Sequence, residues 1–130
     1  MTGRHMQIGE AAERVGLSIR TIRHYEEVGL TVPSARSDGG FRFYTQPDLD
    51  RLAVVKRMKP LGFTLDEMRD LLDLLDALSR TADAERRVVL LDRLTVFRDA
   101  ARARVQALRD QLDTAEGFAR QLQEHLDIHR

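Results

Sequence analysis

Apolar residues recur along this chain at two different periods, and the changes of period mark out its elements. Ile8, Ala11, Ala12 and Val15 fall on one face of a helical stretch. After Gly16, which allows a tight turn, the run Ser18 to Leu30, S-I-R-T-I-R-H-Y-E-E-V-G-L, predicts a second, short helix with Ile19, Ile22 and Val28 turned inward. Ser18 is placed to cap its first N–H groups, Gly29 supplies a left-handed residue at its end, and Pro33 blocks continuation. From Ser34 to Tyr44 the period drops to two. Asp38-Gly39-Gly40 is a hairpin cue and Phe41-Arg42-Phe43-Tyr44 has strand composition. A two-stranded hairpin is not stable alone, so one face must rest on the helices. Alternation predicts Phe41 and Phe43 on that face, with Arg42 and Tyr44 left outward.

The helical period then returns twice. Thr45, with Asp48 three residues on, opens a helix carrying Leu49, Leu52, Ala53, Val55, Lys56 and Met58 that ends near Pro60-Leu61-Gly62. Thr64 with Glu67 repeats the device and leads into a helix whose buried stripe is Leu65, Met68, Leu71, Leu72, Leu75 and Leu78. Asp66, Asp70, Asp73 and Asp76 line its other side, as on a solvated helix face. Past a polar break at Ser79 to Asp83, a long helix starts near Ala84. Positions 91, 94, 98, 101, 105, 108, 112, 115, 119, 122 and 126 alternate steps of three and four, and all but Arg98 are apolar. Gly117 is expected to end the regular helix, with Phe118 to Leu126 folded back as a short turn or helix. The organisation predicted is a head at 6–78, a coiled-coil helix at 84–116 and a short segment at 117–130.

Charge changes the picture by its distribution. The 130 residues hold 21 Lys/Arg and 21 Asp/Glu, but residues 1–63 hold ten basic against seven acidic while residues 64–130 hold eleven against fourteen. The positive half contains the short helix after Ser18. Cysteine is absent, which excludes disulfides, thiolate metal sites and cysteine redox chemistry. No hydrophobic run reaches the length of a membrane span and no signal peptide is visible, so the chain is expected to be cytoplasmic. There is no nucleophile with a plausible base, no Gly-rich phosphate loop and no cofactor motif, so neither enzyme activity nor a cofactor is expected. His125 and His129 share a helix face but lack a third ligand in sequence, and no metal site is expected there.

On the short helix, Arg20, Thr21, Arg23, His24 and Tyr25 fan out around the side opposite the apolar anchors. Such a face suits a DNA major groove, where Arg pairs with guanine, Thr meets base edges or methyls, and Tyr reaches phosphate. An ordinary solvated amphipathic helix would carry similar residues. The neighbours bear on the choice: two short helices joined through Gly16-Leu17-Ser18 form a helix-turn-helix pattern, and the Asp-Gly-Gly hairpin behind it reads as a wing with an Arg and a Tyr for phosphate. The heptad seam overshoots a head of this size, so a second copy of the chain is its economical partner.

In order and spacing, T-I-R-H-Y-E, then G-F-R-F-Y, then L-G-F-T-L-D-E-M closely resemble the MerR family of bacterial transcription regulators, from about Ile8 to Met68. The resemblance implies that the helix bearing Thr21, Arg23, His24 and Tyr25 enters the major groove, that Arg42 and Tyr44 contact the DNA backbone, and that Lys59 reaches phosphate. It also implies an antiparallel pairing of the long helices, a direction the heptads do not determine. Two departures stand out: His24 replaces a common tyrosine, and Pro60 ends the third helix beside Lys59.

The expected fold is therefore mainly α: a winged helix-turn-helix DNA-binding domain with a small β-hairpin wing, then a long dimerisation helix in an antiparallel coiled coil. The expected DNA-binding residues are Ser18, Arg20, Thr21, Arg23, His24, Tyr25, Arg36, Arg42, Tyr44 and Lys59. Dimerisation is expected through Leu91, Leu94, Ala101, Val105, Leu108, Leu112 and Ala115. A small organic effector would sit near Phe97 and Phe118, where the C-terminal residues meet the coiled coil. The expected function is a homodimeric transcription regulator that binds an inverted repeat of double-stranded DNA in a promoter spacer and distorts it for RNA polymerase. The alternatives are an architectural or excisionase-like DNA-bending protein without effector sensing and, in another class, a coiled-coil protein-interaction module. Pull-down with genomic DNA fragments separates the last from the other two.

Overall fold

A computed structural model of the chain describes residues 6–33, 35–36 and 42–130, with side chains for all of these except 35, 36 and 42. The Asp38-Gly39-Gly40 turn and Phe41, the side chains of Arg36 and Arg42, and residues 1–5 lie outside the described residues. The chain divides into two compact units, Met1–Thr81 and Ala82–Arg130.

The first unit opens with β1 (Met6–Gln7) and runs directly into α1 (Ile8–Val15), which Gly16 ends in the left-handed region at φ 72°. Next comes α2 (Ile19–Glu27). As its composition requires, Ser18 caps it, the serine Oγ accepting from the Thr21 N–H at 3.0 Å. Its far end closes on Gly29, also at φ 72°, with the Leu30 N–H donating to the Tyr25 carbonyl at 2.9 Å and the Gly29 N–H to the Glu26 carbonyl at 3.1 Å. Both glycines stand where any L-residue with a Cβ is strained.

The wing strands β2 (Ala35–Arg36) and β3 (Arg42–Tyr44) pair antiparallel, Ala35 opposite Phe43 and Arg36 opposite Arg42. The expected two-stranded hairpin proves to be two strands of a three-stranded sheet in the order β1-β3-β2. Met6 stands opposite Tyr44 and Gln7 opposite Phe43. Two residues are too few to show an alternating pattern, so β1 carries no strand signal of its own. Its pairing nevertheless satisfies the edge of β3 that a simple hairpin leaves open.

α3 (Gln46–Met58) starts as expected: Asp48 accepts from the Thr45 N–H at 2.9 Å, and Pro47 lies in the first turn. A short 3₁₀ turn at Lys59–Leu61 follows, closed by Gly62 at φ 82°. α4 (Leu65–Arg80) has the reciprocal Thr64 and Glu67 bonds at 2.9 and 3.1 Å. Arg51 pairs with Asp76 between α3 and α4, and Asp66 with Arg69, so part of the acidic row is committed to ion pairs. Ile22, Leu52 and Val55 are fully enclosed, and Leu30, Leu49, Met58, Phe63, Met68 and Leu72 are buried with them. Leu65 is more exposed than its place in the predicted stripe implies, while Leu74, off that stripe, is buried.

The second unit is one helix, α5 (Ala84–His129), capped by Asp83. It passes straight through Gly117 instead of ending there. One glycine inside a helix costs only about 1 kcal/mol relative to alanine. Here strong helix formers flank it, Ala115 and Glu116 before and Ala119, Arg120 and Gln121 after, and no proline follows. The separate segment expected at 117–130 is thus part of the same helix, which at 46 residues is about 70 Å long. Among the described residues, no helix is long and apolar enough to cross a membrane.

Candidate nucleic-acid interface

The anchoring of α2 determines what it can present. Ile22 and Tyr25, three apart on the helix, are 0 and 2% exposed. Val28 is only half-buried, and Ile19, expected inward, is 38% exposed. The inward face is therefore rotated towards Tyr25 relative to the predicted one. Tyrosine carries more apolar area than isoleucine or valine and fills the interior better, provided its polar tip is tolerated. Burial pushes the Tyr25 phenol above its ordinary pKa of 10.0. The unfolded chain then loses this proton near pH 10 while the folded chain keeps it, so stability is intact below that pH and falls as pH rises towards the folded value. Urea melts from about pH 9 to 11 are expected to show this decline, and Tyr25→Phe to reduce it; an equal decline in the variant would contradict it.

With those anchors inside, Ser18, Arg20, Arg23 and His24 are exposed and Thr21 half-buried. The Ser18 hydroxyl donates to Thr21 Oγ1 at 2.8 Å, which orients both at the start of the helix. Ile19, Arg20, Thr21, Arg23, His24 and Glu27 line one concave surface, and Lys59 joins them from the far end of α3. Pro60 does not disturb that approach. Lys59 keeps right-handed helical angles, φ −58° and ψ −49°, because the chain tightens into a 3₁₀ turn at this point. Glu27 adds a carboxylate to the rim that composition alone did not single out.

The wing departs from expectation in one respect. Tyr44, expected outward, is 1% exposed, in the core beside its sheet partner Met6 at 4%, while Phe43, expected inward, is half-buried. Residues directly opposite in a sheet share a face, so the short β1 draws Tyr44 inward with Met6. The phenol donates to Glu26 Oε2 at 3.4 Å. Tyr25 and Tyr44, both expected at phosphate, are enclosed and act in this structure as packing residues. The register sets Arg36 and Arg42 at one paired position of the wing.

Residues 6–75 match the family described as MerR HTH family regulatory protein, and residues 49–115 the one described as MerR, DNA binding. The chain belongs to the MerR family. It is 46% identical over 70 residues to the mercuric resistance operon regulatory protein of Bacillus cereus, covering 54% of this chain and 53% of that one. It is 35% identical over 108 residues to the HTH-type transcriptional regulator CueR of Salmonella typhi, covering 82% and 76%. Among solved structures, HiNmlR, a MerR family regulator lacking the sensor domain and bound to promoter DNA, superposes with a TM-score of 0.63 at 25% identity over 87% of this chain and 86% of that one. The match spans about half the length of the Bacillus relative, and less of several others.

On the α5 helix of this MerR-family chain, Leu91, Val105, Leu108 and Leu112 are 46, 41, 50 and 58% exposed, Ala115 is exposed, and Leu94 and Ala101 are half-buried. Phe97 and Phe118 cannot line one pocket within a chain. They lie 21 residues apart on one continuous helix, a separation of about 30 Å. The expectation of a shared effector site assumed a fold-back at Gly117 that the helix does not make.

Proposed function

We propose that this chain is a sequence-specific DNA-binding transcription regulator that acts as a homodimer on an inverted repeat. The observation that carries the reading is the concave face of α2. A capped helix of nine residues, held from behind by Ile22 and Tyr25, presents Arg20, Thr21, Arg23 and His24 outward with Lys59 beside them. Arginine and threonine at exposed positions of a short helix fit base edges in the major groove, and a lysine off the helix fits the flanking phosphates. Arg36 and Arg42, paired in the wing, are proposed as further contacts to the DNA backbone. A MerR-family relative of similar extent has been solved on promoter DNA, which supports the same partner here.

The second copy of the chain is proposed to cover the seam of α5 from Leu91 to Ala115. Two heads on a two-fold axis then read a palindrome. Where the spacing of the two recognition helices differs from the groove spacing of relaxed DNA, binding bends or untwists the duplex at a cost of a few kcal/mol. The proposed site is a promoter spacer, and RNA polymerase is the enzyme that gains from the distortion. Gel shifts on genomic fragments, followed by circular permutation of the bound fragment, test this. A bent site between promoter elements is the expected result, and binding without sequence preference would sink the reading.

The roles within the face separate by salt. Arg23→Ala is expected to cost about 1–3 kcal/mol on the cognate site and to relax preference at one base pair. Lys59→Ala and Arg42→Ala are expected to weaken cognate and random DNA alike and to lower the slope of log affinity against log salt by about one each. Equal losses on both kinds of DNA for all three variants would make Arg23 another phosphate contact.

A further inference from the structure

The two helices of the DNA-reading corner end alike. At α1 the Gly16 and Leu17 N–H groups both return to the Ala12 carbonyl, at 2.9 and 3.1 Å. At α2 the Gly29 and Leu30 N–H groups return to Glu26 and Tyr25. At α1 these bonds serve the Ala12 carbonyl and at α2 those of Tyr25 and Glu26, and neither set reaches the carbonyl of the residue before the glycine. In both helices a cation from the second helix pair takes it. Lys56 Nζ, in the last turn of α3, donates to the Val15 carbonyl at 3.0 Å. Arg69 Nη2, in the second turn of α4, donates to the Val28 carbonyl at 2.8 Å, while its Nη1 is held by Asp66 at 3.1 Å. The two bonds span the same separation in sequence, 41 residues. Gly16 is fitted to this contact, since a Cβ there would lie 2.6 Å from Lys56 Nζ.

We propose that Lys56 and Arg69 are positioning residues that set the angle of the DNA-reading helix, Arg69 by holding its C-terminal end and Lys56 by holding the turn that leads into it. Neither needs to touch DNA for this role. The physical case is that α2 has only nine residues and rests on two buried anchors three positions apart, Ile22 and Tyr25, so packing fixes its rotation about its own axis more firmly than the tilt of that axis. A bidentate arginine contact to a base fails with small displacements. A cation at a helix C-terminus is favoured by the helix dipole as well as by the hydrogen bond. The inference rests on the DNA-binding reading for its consequence, but not for its geometry.

The test uses the full chain and two measurements. In hydrogen exchange without DNA, Arg69→Met is expected to accelerate exchange of the amides at 26–31 while α4 keeps wild-type protection. In gel shifts on the cognate site, the same variant is expected to lose about tenfold in affinity, the scale of one hydrogen bond to a charged group. Its salt slope and its affinity for random DNA should stay at wild-type values, and Arg69→Lys should recover part of the loss. Lys56→Met is expected to act likewise at 15–18, and it is the variant that carries the test should Arg69→Met not fold. Unchanged exchange at these amides overturns the proposal. So does a salt slope lowered by about one, which would make the residue a phosphate contact. If wild-type protein shows no site preference, the DNA reading fails separately, and the exchange measurement still decides whether the clamp exists.

Discussion

Val105→Asp together with Leu108→Asp is expected to give a chain that sediments as a monomer and has lost its affinity for an inverted repeat. In the single chain these side chains are 41 and 50% exposed and sit on the seam that alternates steps of three and four along α5. The size of the effect depends on whether that seam is covered. If it faces water, two aspartates cost only their helix propensity, up to about 0.7 kcal/mol each, and nothing else changes. If a second copy covers it, two carboxylates enter a desolvated interface without partners, at an effective cost of several kcal/mol per ion. Four of them lie in the dimer, and the association is lost. One head then reads one half-site, without the gain from linking two. Analytical ultracentrifugation with circular dichroism, followed by gel shifts, reads all three quantities. A helical, dimeric double mutant with wild-type affinity would remove α5 as the interface.

Ile22→Ala is expected to destabilise the first unit by about 2–5 kcal/mol, a large share of the roughly 5–15 kcal/mol that holds a domain together. Ile22 is fully enclosed behind the outward face of α2. Truncation removes most of a side chain and leaves a cavity that a rigid helical corner cannot close. Ile22→Val, which deletes one methylene, is expected to cost about 0.5–1.5 kcal/mol and to leave binding nearly intact. Urea titrations at one fixed protein concentration compare the variants, since dimerisation makes apparent stability depend on concentration. Ile19→Ala provides the contrast. At 38% exposure it should fall well below Ile22→Ala, whereas equal costs would mean that both residues face inward as the bare pattern suggests.

Those two isoleucines show where reading a pattern stops. Local chemistry needs only neighbours in sequence, and it was legible: Ser18, Thr45 and Thr64 cap the helices they precede, Gly16 and Gly29 take left-handed angles, and the helices lie where their apolar periods place them. The basic outward face with Arg20, Thr21 and Arg23 was legible for the same reason. A helix of nine residues has one wide apolar side, and its charged residues go to the other. Family membership was legible too, because three motifs recur in order along 60 or so residues.

What the sequence left open was decided by pairings between distant residues. Whether Ile19 or Tyr25 fills the interior behind α2 depends on the space that the elements packed against it, α1 among them, leave, which no periodicity encodes. The inward turn of Tyr44 follows from its pairing with Met6, 38 positions earlier in a strand too short to show a pattern. The continuity of α5 through Gly117 is a balance between one weak residue and the strong helix formers around it, and a single glycine loses that balance. Lys56 and Arg69 read as ordinary helix cations until the fold sets each against a carbonyl 41 residues away. Capping, turn angles and amphipathic faces are settled by energies within one or two turns of chain, so sequence determined them. The side of a strand that is buried, the rotation of a helix on its anchors and the partner of a helix end depend on which distant surfaces meet, and only the tertiary structure decided those.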